Sequence, residues 1–178
     1  MLEALITSKT RLKLLLKFFL NSSNTAYLRG LEPEFGESSN AIRVELNRFE
    51  KADLLLSKTE GNKKYYQANT SHPLFPEIHK LLLKHIGLDE VIEKVITKLG
   101  HLSEVYLVGE LAKGKNSKVI DLWFVGEELD KNYLMSLVEK TEELIKRKIR
   151  YLILDKTELQ DFLKNKSKDE LLLVWKAE

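Results

Sequence analysis

The sequence predicts an α+β chain of two small domains joined by a helix, and three observations predict it. Apolar residues recur at helical spacing through most of the first 52 positions, then give way to two short β-rich runs around Glu60-Gly61-Asn62. A further helical pattern lies within residues 72–87. From residue 88 onward, helical and strand patterns alternate, as in a mixed α/β layer. At 178 residues the chain can hold two modest cores.

Composition narrows the class. The apolar share of 43% and charged share of 31% are those of an ordinary globular protein. There is no cysteine, which excludes a disulfide framework and thiolate metal sites and fits a reducing, cytoplasmic setting. The opening MLEALITSKTRLKLLLKFFL carries Lys13 and Lys17 inside its apolar run, and no small-residue cleavage site follows. It reads as an amphipathic helix, neither a signal peptide nor a membrane span, so no membrane partner is expected. Residues 1–87 hold 13 Lys+Arg against 9 Asp+Glu, and residues 88–178 hold 16 against 18. The mildly basic first half permits a nucleic-acid partner without requiring one.

Each element can be justified in turn. A helix fits residues 8–20, capped by Ser8 or Thr7, with Leu12, Leu15, Leu16, Phe19 and Leu20 inward. A short helix around residues 26–31 should stop near Pro33, which cannot continue a helical ladder. Residues 39–52 form a third helix with Ile42, Leu46 and Phe49 on one face. Asn40, Arg43, Val44, Asn47 and Arg48 lie on the other, where amide and guanidinium groups suit base edges and phosphates. Strands at 54–59 and 63–68 then form a hairpin, whose turn residues Gly61 and Asn62 tolerate positive φ.

Three helices and a hairpin with a basic tip is the order of a winged helix-turn-helix. The candidate DNA-binding residues are Ser39, Asn40, Arg43, Asn47 and Arg48 on the third helix, and Lys58, Lys63 and Lys64 on the wing. Glu45 and Glu60 oppose this reading by placing negative charge near the presumed DNA surface. In HPLFPEIHKLLLKHIGL, Pro76 suits a first helical turn, and Ile78, Leu81, Leu82 and Ile86 form a stripe that needs a partner. His72, His79 and His85 are spaced by seven and six residues, which is not the spacing of a helical metal pair, and no metal is expected there.

These residues carry a family resemblance. The wing strand with Tyr65, Tyr66, Ala68 and Asn69, running through His72, Pro73, Leu74, Phe75, Pro76 and Glu77 into a helix, resembles winged-helix regulators of the ArsR-like group whose second half is nucleotidyltransferase-like. The resemblance covers nearly the whole chain. It implies a winged helix-turn-helix at 1–71, a linker helix at 72–87 and a small nucleotidyltransferase-like domain at 88–178. Asp53 departs from the pattern, because such proteins usually end the third helix on glycine; aspartate tolerates the left-handed conformation better than most residues.

In the second half, helices are expected at 88–99 (Val91, Ile92, Val95, Ile96 and Leu99), at 133–146 (Leu134, Leu137, Val138, Thr141, Leu144 and Ile145) and at 157–164. Strands are expected at 104–108, 119–125 and 148–154. The final LLLVWK is too short and too apolar to type. The glycine turn in VGELAKGKNSKVIDLWFVG is where the resemblance places catalysis. An active relative carries Gly-Ser there, an Asp-x-Asp on the next strand and a third carboxylate later, so that paired acids bind metal and backbone amides hold a triphosphate. Here Gly109 remains, Glu110 takes the serine position, and Val119-Ile120-Asp121 keeps one acid. Lys148, Ile149, Arg150 and Tyr151 supply none.

Gly109, Glu110 and Asp121 are therefore read as vestigial, and no catalytic residue is assigned. Gly109, Lys113, Gly114 and Lys115 form a possible nucleotide-binding turn, with nucleotide or magnesium the only cofactors considered. Neither a G-x-S-x-G setting nor a G-x-x-x-x-G-K loop is present. The expectation is a homodimeric, sequence-specific binder of double-stranded DNA, a transcriptional regulator with a disarmed second domain. Two other readings stay open: an active metal-dependent nucleotidyltransferase targeted by its winged helix, and a protein-interaction module.

Overall fold

Two units, Met1–His85 and Ile86–Glu178, divide the chain in the computed structural model, which describes residues 2–164 and 166–177. The outer ends of the first and last expected domains, Met1 and Glu178, and the side chain of Ile96 lie outside the described set.

In the first unit a single turn, α1 (Leu2–Leu5), precedes α2 (Lys9–Leu15), which Ser8 caps by accepting the Arg11 N–H at 3.2 Å. The helix does not run on unchanged to Leu20. From Leu16 to Leu20 it loosens into a π-helical turn in which all five residues are buried. Five successive positions of an α-helix sweep more than a full circle. The wider turn lets Leu16, Phe18, Phe19 and Leu20 all meet the core. Leu14, fully buried, takes the inward place expected for Leu15. The Lys17 ammonium, drawn inside, donates to Glu34 at 3.1 Å, and its carbonyl accepts the Asn24 amide at 2.9 Å.

The next segment corrects the sequence reading twice. Ala26 and Tyr27 form a short strand, β1 (Ala26–Tyr27), and α3 (Leu28–Phe35) follows it directly. Pro33 lies inside α3 and does not end it. The end is set by Gly36, left-handed at φ 62°, whose N–H donates to Glu32 O. Lys13 donates to the last carbonyl of that helix, Phe35 O, at 2.6 Å. Helix α4 (Ser39–Lys51) starts at the Ser38 cap and buries Ile42, Leu46 and Phe49. It is followed by Asp53 at φ 55°. Strands β2 (Leu55–Glu60) and β3 (Lys63–Ala68) pair antiparallel about Gly61-Asn62, and β1 joins the other edge of β3, giving the order β1-β3-β2. Helix α5 (Phe75–Ile86) follows, with Pro76 in its first turn.

The second unit opens with α6 (Leu88–Lys98) and places β4 (His101–Val108), β5 (Val119–Glu127), β6 (Lys148–Leu154) and β7 (Leu171–Lys176) in one sheet of order β6-β5-β4-β7. Strands β5 and β6 run parallel, joined through α8 (Lys131–Ile145), whose cap Asp130 accepts the Tyr133 N–H at 2.9 Å. The untyped LLLVWK is β7, an edge strand. Leu144, expected inward, is 59% exposed; Leu134, Leu137, Val138 and Thr141 supply the buried stripe of α8. The glycine turn opens a single helical turn, α7 (Gly109–Ala112), and α9 (Lys156–Lys164) sets Leu159 against Val108, Trp123, Val125 and Leu154 on the sheet. Among the described residues no helix is long and apolar enough to cross a membrane.

Candidate nucleic-acid interface

The two faces of α4 separate as its periodicity predicts: Asn40, Arg43, Val44, Asn47 and Arg48 are exposed, opposite the buried stripe. The hairpin carries its own alternation. Because strand side chains alternate in direction, Lys63 and Lys64 leave β3 on opposite sides. The Lys63 ammonium sits 4.5 Å above the Tyr27 ring, whereas Lys64 reaches Glu50 at the end of α4 at 2.7 Å.

Between these elements lies a cleft of about 570 Å³. Tyr27, Leu28 and Arg29 form one wall, Arg43, Leu46 and Asn47 of α4 another, and Asn62, Lys63, Lys64 and Tyr66 of the hairpin the third. Four cationic side chains line it and no carboxylate does. Arg43, Asn47, Lys63 and Lys64 are thus brought together, as four of the eight DNA-contact candidates. The other four lie apart. Ser39 donates its hydroxyl proton to Glu32, and Asn40 is exposed on the first turn of α4. Arg48 is hydrogen-bonded to Glu45, and Lys58, cross-strand from Tyr65, pairs with Glu60 at 2.8 Å. The bond to Glu60 raises the Lys58 pKa above its usual value.

Arg29 and Tyr27 are cleft residues the sequence reading missed. Two residues of strand leave no periodic signal, and Arg29 reaches the cleft because β1 pairs with β3 and fixes the start of α3 beside the hairpin.

The two acids that counted against a nucleic-acid surface have partners. Glu45 is 5% exposed. Its carboxylate accepts from Arg11 Nε at 2.9 Å and Nη2 at 3.1 Å, from Arg48 Nη1 at 2.9 Å and from Ser8 Oγ at 3.4 Å. Burial alone would raise its pKa, but the Arg11 fork, the Arg48 charge and the Ser8 hydroxyl outweigh burial and hold it below the usual carboxylate range. Sequence could not reveal this. Glu45 falls at the edge of the apolar stripe, and only the packing of α2 on α4 supplies Arg11. Glu60 is matched by Lys58.

In the second unit the parallel register sets Asp121 beside Arg150. Arg150 clasps the Asp121 carboxylate with both arms of its fork, Nε to Oδ1 at 2.6 Å and Nη2 to Oδ2 at 3.0 Å, and this bond raises the guanidinium pKa. Gly109, at φ 72°, lies so close that a Cβ there would sit 2.7 Å from Asp121 Oδ2. The turn's lysines are also matched. Lys113 reaches Glu170 at 2.7 Å, which raises its pKa, and Lys115 lies 3.2 Å from Glu110. Gly114 holds the turn at φ 75°. One carboxylate held by a guanidinium does not fit a divalent metal, which needs several oxygen ligands, and among the described residues no group of three or more His, Asp or Glu is placed to hold one. The residues therefore do not fit a metal-dependent phosphoryl transfer.

No protein-family model matches the sequence, and no curated protein matches it significantly. Among solved structures, reduced HlyU from Vibrio cholerae is similar over 47% of this chain and 82% of its own, at 18% identity and a TM-score of 0.37. A protein described as a nucleotidyltransferase from Sulfolobus solfataricus is similar over 56% of this chain and 86% of its own, at 27% identity and a TM-score of 0.38. A chain of the toxin–antitoxin MntA–HpeT is similar over 51% of this chain and 73% of its own, at 14% identity and a TM-score of 0.39.

Proposed function

We propose that the first unit is a winged helix-turn-helix that binds double-stranded DNA, with α4 in the major groove and the hairpin against the backbone. The observation that carries this reading is the cleft itself, where Arg29, Arg43 and Lys63 stand beside Asn47 and Asn62 with no lining carboxylate. Guanidinium and ammonium groups engage phosphates, while Arg43 and Asn47 suit the edges of guanine and adenine. The protein is a transcriptional regulator on this reading. Its ranges are 1–71 for the reading domain, 72–87 for the linker helix and 88–178 for a nucleotidyltransferase-like domain without transfer chemistry. Two copies would read two half-sites, and Leu74 and Leu81, exposed at 55% and 39%, give a pairing surface at the linker helix.

Fluorescence anisotropy with DNA from the protein's own upstream region, against a scrambled duplex and across a salt series, tests it. Tighter binding to the upstream DNA with a steep salt slope, relaxed by Arg43→Ala, is the expected result. Equal, weak and salt-insensitive binding to both duplexes would refute the reading and favour a protein-docking role for the same cleft.

A further inference from the structure

We infer that Lys64 is not a phosphate contact but one arm of a clamp, Glu50–Lys64–Ser57, that fixes the hairpin to the reading helix and so sets where Lys63 meets the backbone. The inference rests on the DNA-binding reading and deepens it. Adjacent basic residues at a wing tip invite the assumption that both touch DNA, and the geometry divides them. Lys63 rests on the Tyr27 ring, and among the described residues it forms no ion pair. The Lys64 ammonium lies 2.7 Å from each Glu50 oxygen, Oε1 and Oε2, and 5.2 Å from the Tyr66 ring centroid. The same Glu50 carboxylate accepts the Ser57 hydroxyl at 2.6 Å.

Ser57 is on β2 and Lys64 on β3, so one side chain of α4 holds both strands of the hairpin. The Lys64 bond is the largest influence holding the Glu50 carboxyl below its usual range, and Glu50 in turn raises the Lys64 pKa, so both groups stay charged around neutrality. Drawing Lys64 away to a phosphate would leave the Glu50 charge with only the Ser57 hydroxyl as a partner. Keeping it in place costs nothing of the kind and holds the hairpin in register with α4.

Charge and position predict opposite signs, which makes the inference testable. Removing an acid near a polyanion strengthens binding if only charge matters. If the clamp positions the hairpin, Glu50→Gln weakens binding by about threefold to fivefold, the scale of a well-formed exposed ion pair. The salt slope gives the second readout. Lys63→Gln should lower its magnitude by about 0.9, one released counterion, whereas Lys64→Gln should weaken binding with the slope unchanged. The double reversal Glu50→Lys with Lys64→Glu keeps the net charge and should recover part of the lost affinity.

A Lys64→Gln slope that falls as far as that of Lys63→Gln, or a Glu50→Gln variant that binds more tightly, would overturn the clamp while leaving DNA binding intact. Amide hydrogen exchange of the full-length protein without DNA separates the two ideas. Glu50→Gln should speed exchange across β2 and β3 whether or not any DNA is bound, and unchanged exchange there overturns the clamp. If the wild-type protein shows no salt-steep DNA binding, the functional reading fails independently.

Discussion

Replacing Arg29 with glutamine removes one of three cleft cations that no carboxylate pairs, the others being Arg43 and Lys63; Lys64 is already matched by Glu50. If each of the three meets a phosphate, the logarithm of affinity should fall against the logarithm of salt with a slope of about −2.7 per bound protomer, at roughly 0.9 for each phosphate neutralised. Between 50 and 200 mM salt that is a loss of about 40-fold in affinity. Arg29→Gln should reduce the slope to about −1.8 and the loss to about 12-fold. Anisotropy titrations at four or five salt concentrations resolve the difference. Arg29 is exposed, so the thermal midpoint should not move and the comparison stays free of unfolding. A slope equal to that of the wild type would mean that Arg29 faces solvent in the complex and that no phosphate reaches its wall of the cleft.

Further outcomes follow from the same geometry. Glu45→Gln should destabilise the first unit by about 1–2 kcal/mol, discounted because Arg11 is partly exposed, as read by urea denaturation. Because the folded pKa of Glu45 is depressed, its contribution is present above the ordinary carboxylate pKa and is lost as pH falls through the lower folded value. The stability gap between wild type and Glu45→Gln should therefore close on the acid side, and a gap independent of acid pH would contradict the assigned ion pairs. Asp53, held at φ 55°, should gain about 0.5–1 kcal/mol on replacement by glycine and lose about 1–2 kcal/mol on replacement by valine, in the same denaturation assay. Labelled nucleoside triphosphates with magnesium or manganese should yield no transferred label with either the wild type or Asp121→Ala. Transfer by the wild type that Asp121→Ala abolishes would show that the Arg150-bound carboxylate is catalytic after all.

Local rules carry much of the chain. The stripe Ile42, Leu46 and Phe49 and the opposite face of Arg43 and Asn47 were legible because a 3.6-residue period is written directly in the order of residues. The hairpin was legible because its two-residue turn needs a positive φ at the first position, which Gly61 takes at 60°; Asn62, expected to share it, does not. What failed locally were the places where long-range contacts override a local preference. Pro33 stays inside α3 because Gly36 and Lys13 terminate that helix, and Leu16 to Leu20 loosen to bury a run too apolar for one helical stripe.

Sequence by itself, then, determined most of the helices, the hairpin and the exposed polar face of α4, since each depends on residues close in the chain. Tertiary structure alone decided which charges are spent inside the protein and which are left for a partner. Arg11 and Glu45 are 34 residues apart, Asp121 and Arg150 are 29 apart, and Glu50 and Lys64 are 14 apart. Ion pairing depends on distance in space, and no local pattern encodes it. Arg29 and Lys63 line a cleft with no carboxylate in its lining, while Glu60 pairs with Lys58 and Glu50 with Lys64.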